Sequence, residues 1–178
     1  DLVATEDVDL SLAGALTVSD ADIAHMPATH LESSLSVTVT ADSGTVGLTT
    51  TVPGCYITSS GGWGKSTSLS FMASLSVVQK TLDQPVYLGC ADGDTDDVLT
   101  VTVGDEGTFG AGGAMSTVLA VPIAITGVND APRATQPTKF NKDKTEEGLD
   151  LPSGFENFVV YEVDEGLDDL VKFTMTVS

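Results

Sequence analysis

The residues of this chain best placed to do chemistry are its carboxylates. Glu6 and Asp7, Asp20 and Asp22, Asp92, Asp94, Asp96 and Asp97, Asp105 and Glu106, then Asn129 and Asp130 all fall at turn positions beside strand-like runs. A hard cation such as calcium takes about six to eight oxygen ligands, and an Asp-x-Asp pair in a turn aims two carboxylates at one point. Asp and Asn also favour turns for local hydrogen-bonding reasons. Residue type and position therefore leave both an ion cage and a set of solvated turns open.

Other arrangements are weaker. Asp92-Gly93-Asp94-Thr95-Asp96-Asp97 begins like an EF-hand loop, but its sixth position is Asp97 instead of Gly and its twelfth is Val103 instead of Glu. Gly64-Lys65-Ser66 resembles the end of a phosphate-binding loop, yet Ser59 stands where the first Gly belongs and no helical pattern follows. It reads as a hairpin turn. His25 and His30 share a polar connection with Glu32 and read as exposed loop histidines. No Gly-x-Ser-x-Gly elbow occurs, and at 6% aromatic the chain lacks the sugar platforms that usually surround a glycosidase carboxylate pair. No enzyme is expected. Trp63, in the Gly-rich turn Gly61-Gly62-Trp63-Gly64, and Tyr56 are candidate glycan contacts, although a Trp in such a turn also folds back over its own hairpin. Cys55 and Cys90 stand 35 positions apart without CxxC spacing, which suits neither zinc nor a redox motif. Paired, they would add roughly 2–4 kcal/mol; the alternative is two buried free thiols. A disulfide is the expectation, the more so outside the cell.

These residues sit in a chain of 178 residues with 26 acids, 7 basic residues and a formal charge of -19. Nucleic-acid affinity comes largely from Lys and Arg neutralising phosphates, so neither nucleic acid nor an anionic membrane surface is an expected partner. With 41% hydrophobic residues the chain has material for a core. No apolar run approaches the roughly 20 residues of a membrane-spanning helix, so no membrane insertion is expected. The chain opens and closes in strand-like patterns and reads as a segment cut from something longer.

Apolar residues recur with a period of two among Ser and Thr: Leu35, Val37, Val39; Val46, Leu48; Leu69, Phe71; Leu99, Val101, Val103; Leu119, Val121, Ile123, Ile125. Such alternation marks half-buried antiparallel strands. The turns Asp42-Ser43-Gly44, Asp92-Gly93-Asp94 and Gly110-Ala111-Gly112-Gly113 separate them at sandwich spacing. One stretch, residues 76–83, is helical in pattern. It places Leu75, Val78 and Leu82 on one face, Ser76 and Gln79 have capping-box spacing, and Pro85 ends it. The expected fold is mainly β: an antiparallel β-sandwich with one short helix. Three segments follow from composition: a sandwich over 1–131 with 16 acids against 2 basic residues, a linker or irregular insertion over 132–157, and the opening strands of a following unit over 158–178. Within the second, Lys139, Lys142 and Lys144 form a basic patch that could dock onto the acidic face of a neighbouring chain.

In order along the chain, Thr5-Glu6-Asp7, Val18-Ser19-Asp20-Ala21-Asp22, Leu69-Ser70-Phe71, the short helix, Asp97-Val98-Leu99-Thr100-Val101, Gly110-Ala111-Gly112-Gly113 and Val128-Asn129-Asp130-Ala131-Pro132 form a pattern. Over nearly all of residues 1–132 it resembles the cadherin-like tandem repeat of large extracellular adhesins and mastigoneme-type surface-filament proteins. The resemblance implies an immunoglobulin/cadherin-like sandwich strung with copies of itself, calcium at the junctions, and an extracellular or cell-surface location. The metal ligands it implies are Glu6, Asp20, Asp22, Asp105, Asn129 and Asp130, with Asp164 and Glu165 as the second unit's counterparts of Glu6 and Asp7. The partners it implies are neighbouring repeats of the same polypeptide, other copies in a filament, and cell-surface glycans. A structural module giving length and calcium-dependent rigidity is the leading expectation; a lectin-like recognition sandwich is the alternative. The chain departs from the pattern in its two cysteines and in the long stretch between Arg133 and Phe158.

Overall fold

Alternation sets the main sheet. In β3 (Ser34–Ala41), Leu35, Val37, Val39 and Ala41 are buried and the serines and threonines between them are half-buried. β6 (Ser68–Ser74) repeats this with Leu69, Phe71 and Ala73, and β8 (Asp97–Gly104) with Leu99 and Val101. The register puts Val37 between Phe71 and Val103, and Val39 between Leu69 and Val101, so the apolar side chains form continuous rows across three strands. A slip of one residue would turn every row into water, which is why the pairing is unique.

The computed structural model describes residues 2–24, 34–59, 62, 64–90, 95–107, 112–131, 133–135 and 159–161. The chain falls into two units, Asp1–Val128 and Asn129–Ser178. The first unit is an immunoglobulin-like β-sandwich. To the three strands above, its larger sheet adds β1 (Leu2–Thr5), β5 (Tyr56–Ile57) and β9 (Ser116–Thr126), in the order β1-β9-β8-β3-β6-β5. All its pairings are antiparallel except that of β1 with β9, which is parallel, with Leu2 opposite Ile123 and Thr5 opposite Thr126. The smaller sheet has β7 (Pro85–Leu88) between β2 (Leu10–Ser11) and β4 (Thr45–Leu48). Val37, Phe71, Leu99 and Ile123 from the larger sheet share one core with Val46 and Tyr87 from the smaller.

Among the described residues two helices complete the unit. α1 (Ala21–Ala24) is a single turn that the sequence pattern did not announce. The expected helix is α2 (Leu75–Leu82), which buries Val78 and Leu82 and leaves Leu75 half-buried. Its start differs from expectation. The N-cap is Ser74, whose side chain makes no capping bond, so the Ser76–Gln79 box does not form. Gln79 instead accepts the Val18 N–H (3.2 Å) and donates to the Leu16 carbonyl (3.1 Å), tying the helix to residues 16–18.

The alternation expected at Leu119, Val121, Ile123 and Ile125 also differs, because Ile123 alone of the four is fully buried. β1 begins opposite Ile123, so among the described residues the stretch 116–122 of β9 has β8 on one side and no strand on the other. In the second unit, β10 (Arg133–Thr135) pairs antiparallel with β11 (Val159–Tyr161). β10 falls within residues 132–157, the stretch expected as a linker or irregular insertion.

Candidate functional site

Among the carboxylates named in the sequence, Glu6, Asp20, Asp96, Asp97 and Asp105 accept backbone N–H groups. Glu6 directly follows β1 and is 2% exposed. Its N–H donates to the Thr126 carbonyl (2.9 Å), and its Oε2 accepts the Val128 N–H (2.9 Å). The end of the first strand is therefore clasped to the chain that leaves the last one. Asp20 caps α1, its Oδ1 accepting the Asp22 N–H (2.9 Å). Asp105 closes the β8–β9 connection, its Oδ1 accepting the N–H of Gly107 (2.9 Å) and of Met115 (2.8 Å). Those bonds, Met115 first and then Gly107, hold its carboxyl below the usual carboxylate range. The next residue, Glu106, takes a left-handed backbone with φ 54 and hydrogen-bonds to the Ser36 hydroxyl. In the second unit the Asn129 side-chain amide donates to the Asp130 carbonyl at 3.5 Å.

Of the six expected metal ligands, the structure brings Asp20 and Asp105 to one place. Both line a groove of about 530 Å³, which also takes in Leu35, Val101 and Val103 of the larger sheet. Leu16 and Val18 border it on one side, and Val118 and Leu119 on the other. Leu119 lies opposite Val101, so it continues a core row, yet it is 54% exposed because nothing among the described residues covers it. Among the described residues no group of three His, Cys, Asp or Glu side chains assembles that could hold a metal ion. The expected ligand set is not gathered into one cage within the first unit, and the bonds above account for the positions of Glu6, Asp20 and Asp105.

The best-built polar centre lies elsewhere, at Asp97, which the sequence places among the acids beside strands but not among the expected metal ligands. Asp97 is 2% exposed. Its Oδ1 accepts the N–H of Asp42, Ser43 (both 3.1 Å) and Val98 (2.7 Å), and its Oδ2 accepts the Gly44 N–H (2.8 Å) and the Tyr87 hydroxyl (2.7 Å). Residues 42–44 carry the chain from β3 in one sheet to β4 in the other, so this carboxylate fixes the crossing between the sheets. Burial alone would raise its pKa, but the bonds from Gly44, Tyr87, Val98 and Ser43 outweigh that and hold it below the ordinary value. Burial, followed by the bond and charge of Asp97, pushes the Tyr87 hydroxyl well above the usual tyrosine range. Neither group is exposed to a substrate, so the pair is architectural.

Cys55 and Cys90 are free thiols, so the expected bridge is not formed. Cys55 hydrogen-bonds to Thr81 in α2, ahead of β7, whereas Cys90 follows β7. An extended stretch on the order of 15 Å separates those positions, and a disulfide needs Cα atoms within about 7 Å. Burial pushes the Cys55 thiol up, against the opposing effect of the Thr81 bond. Tyr56 is exposed on the edge strand β5. Trp63, His25, His30, Lys139, Lys142, Lys144, Asp164 and Glu165 lie outside the described residues. Ser66, expected in a hairpin turn, bridges to Val46 and so runs beside β4. No helix of the described residues is long and apolar enough to cross a membrane. Compared with known proteins, the chain matches no family model, no curated protein and no solved structure.

Proposed function

We propose that the chain is a structural module of an extracellular or cell-surface filament or adhesin, joined in series to further copies, stiffened by calcium and without catalytic activity. The observation that carries this reading is the parallel pairing of β1 with β9. In that arrangement a pull on the beginning of β1 and the end of β9 slides the two strands past one another. Every bond between them is loaded together instead of being opened one at a time. The Glu6 clasp on Val128 closes the same joint at the point where the chain leaves the unit. Such a joint suits a segment that transmits force along a polypeptide. Calcium enters the reading through the acidity of residues 1–131, where like charges repel until divalent ions screen them.

The test is direction-dependent pulling of the full chain. Held at its two ends, the first unit should rupture in one event. With cysteines introduced as Val8→Cys and Val128→Cys, both at exposed positions, and the native thiols replaced by serine, the pull peels β1 from β9 and should require a markedly lower force. Equal forces in the two geometries would refute the reading. The exposed ring of Tyr56 favours a second reading, glycan recognition. Aromatic emission titrated with a glycan panel separates the two.

A further inference from the structure

Among the described residues, no strand pairs with residues 116–122 of β9 on the side away from β8. Pro122 has no N–H to give β8, although it lies opposite Val98 in the ladder. In an antiparallel pair a residue points its N–H and C=O to the same side. The even-numbered residues of β9 therefore turn these groups away from β8. Two bonds agree with that parity: the Thr126 carbonyl accepts the Glu6 N–H on the β1 side, and the Ile125 N–H turns to Asp96, just before β8. Ser116, Val118 and Ala120 thus present their N–H and C=O groups at the open edge, in line with the place where β1 begins.

The side chains point to the same use. Leu119 faces inward beside the groove of about 530 Å³, whose apolar lining would accept alternate side chains of an added strand. Met115, 70% exposed, stands at the head of the slot. Residues 116–126 contain no charged side chain, so the edge lacks the lysines or inward-pointing charges that usually keep strands apart. Charge selects the occupant. Asp20 and Asp105 line the groove, Glu106 follows, and residues 1–131 hold 16 acids against 2 basic residues. A second copy pairing through the same edge would bring the same excess of negative charge to the contact, whereas a basic segment would be drawn in.

We infer that the free half of β9 is a docking slot for an extended segment of a partner protein, apolar at alternate positions and flanked by lysine or arginine, which adds as a further strand of the larger sheet. The main-chain bonds supply the pairing, the groove takes the alternate side chains, and the acidic rim selects the flanks.

The experiment uses the full chain and a fluorescein-labelled peptide in which valine and threonine alternate between paired lysines, read by fluorescence anisotropy. The lysine-flanked peptide should bind, more weakly at high salt, and a glutamate-flanked version should bind at least about tenfold more weakly. Ala120→Pro removes one outward N–H and leaves the β8 ladder intact; Leu119→Asn makes the groove wall polar. Each should weaken binding by about fivefold to tenfold while circular dichroism and melting stay near those of the parent. Absence of binding, equal binding of the two peptides, or binding indifferent to both substitutions would overturn the inference. So would self-association of the chain alone that Ala120→Pro abolishes, since the occupant would then be a second copy.

Discussion

Replacing Asp97 should disable the crossing between the two sheets, and the size of the effect follows from its bonds. Asp97→Ala removes the acceptor of five donors, of which the Gly44 N–H and the Tyr87 hydroxyl are buried, whereas Asp42 and Ser43 are exposed and Val98 is half-buried, so that these can turn to water. A buried donor left unsatisfied costs roughly 1–3 kcal/mol, so the loss should be about 4 kcal/mol. Asp97→Asn keeps the shape and one acceptor oxygen, and Tyr87 can reverse its hydroxyl, so a single orphan at Gly44 and the lost charge should cost about 2 kcal/mol. Tyr87→Phe removes one bond to a carboxylate that keeps its four backbone donors, for about 1.5 kcal/mol. Urea unfolding followed by circular dichroism would rank the three. The pH dependence carries a sign. Because the folded-state pKa of Asp97 lies below the unfolded one, its contribution is complete above an unfolded value near 3.9 and is lost as pH falls through the folded value. The stability gap between the parent and Asp97→Asn should therefore close as the solution is acidified below about pH 4. A loss under about 1 kcal/mol for Asp97→Ala, or a gap that widens in acid, would refute the reasoning.

Further outcomes follow from individual contacts. A Cβ at Gly44 would lie 2.5 Å from the Leu88 carbonyl oxygen and 2.6 Å from the Tyr87 ring, so Gly44→Ala should lose about 3 kcal/mol, read from the urea midpoint. Gln79→Ala removes both bonds to residues 16–18; it should cost about 1–2 kcal/mol and speed amide exchange at Val18. A thiol reagent should titrate both cysteines, the exposed Cys90 quickly and the half-buried Cys55, with its raised pKa, slowly; a chain with no titratable thiol would contradict the free pair.

The strands were legible because alternation is a local signal that burial on one face enforces. β3, β6 and β8 bury the residues the pattern names, save that Val103 near the end of β8 is only partly covered. The same pattern misled at Leu119, since a period of two says which way a side chain points and nothing about whether a neighbour covers it. The helix was legible from Val78 and Leu82, but its cap was not, because Gln79 found partners 61 and 63 residues away. Asp97 reads in sequence as one more turn acid. Its role depends on residues 42–44 arriving from 53–55 positions earlier, which no local window contains. The disulfide failed for a similar reason, since spacing along the chain carries no information about the opposite ends of β7. Of the acids, Glu6, Asp7 and Glu106 do lie in turns, whereas Asp22 falls in α1 and Asp97 begins β8, and the use of Glu6 as a clasp depends on Val128, 122 positions away.

The central proposal, a calcium-stiffened structural module, is tested most directly by melting the full chain in excess EDTA and again in millimolar calcium. Binding at ten times the dissociation constant adds about 1.4 kcal/mol per site, which for a unit of this size raises Tm by roughly 5 °C. A rise of that order, absent with magnesium at equal ionic strength, is the predicted result. Identical melting in EDTA and calcium would contradict it.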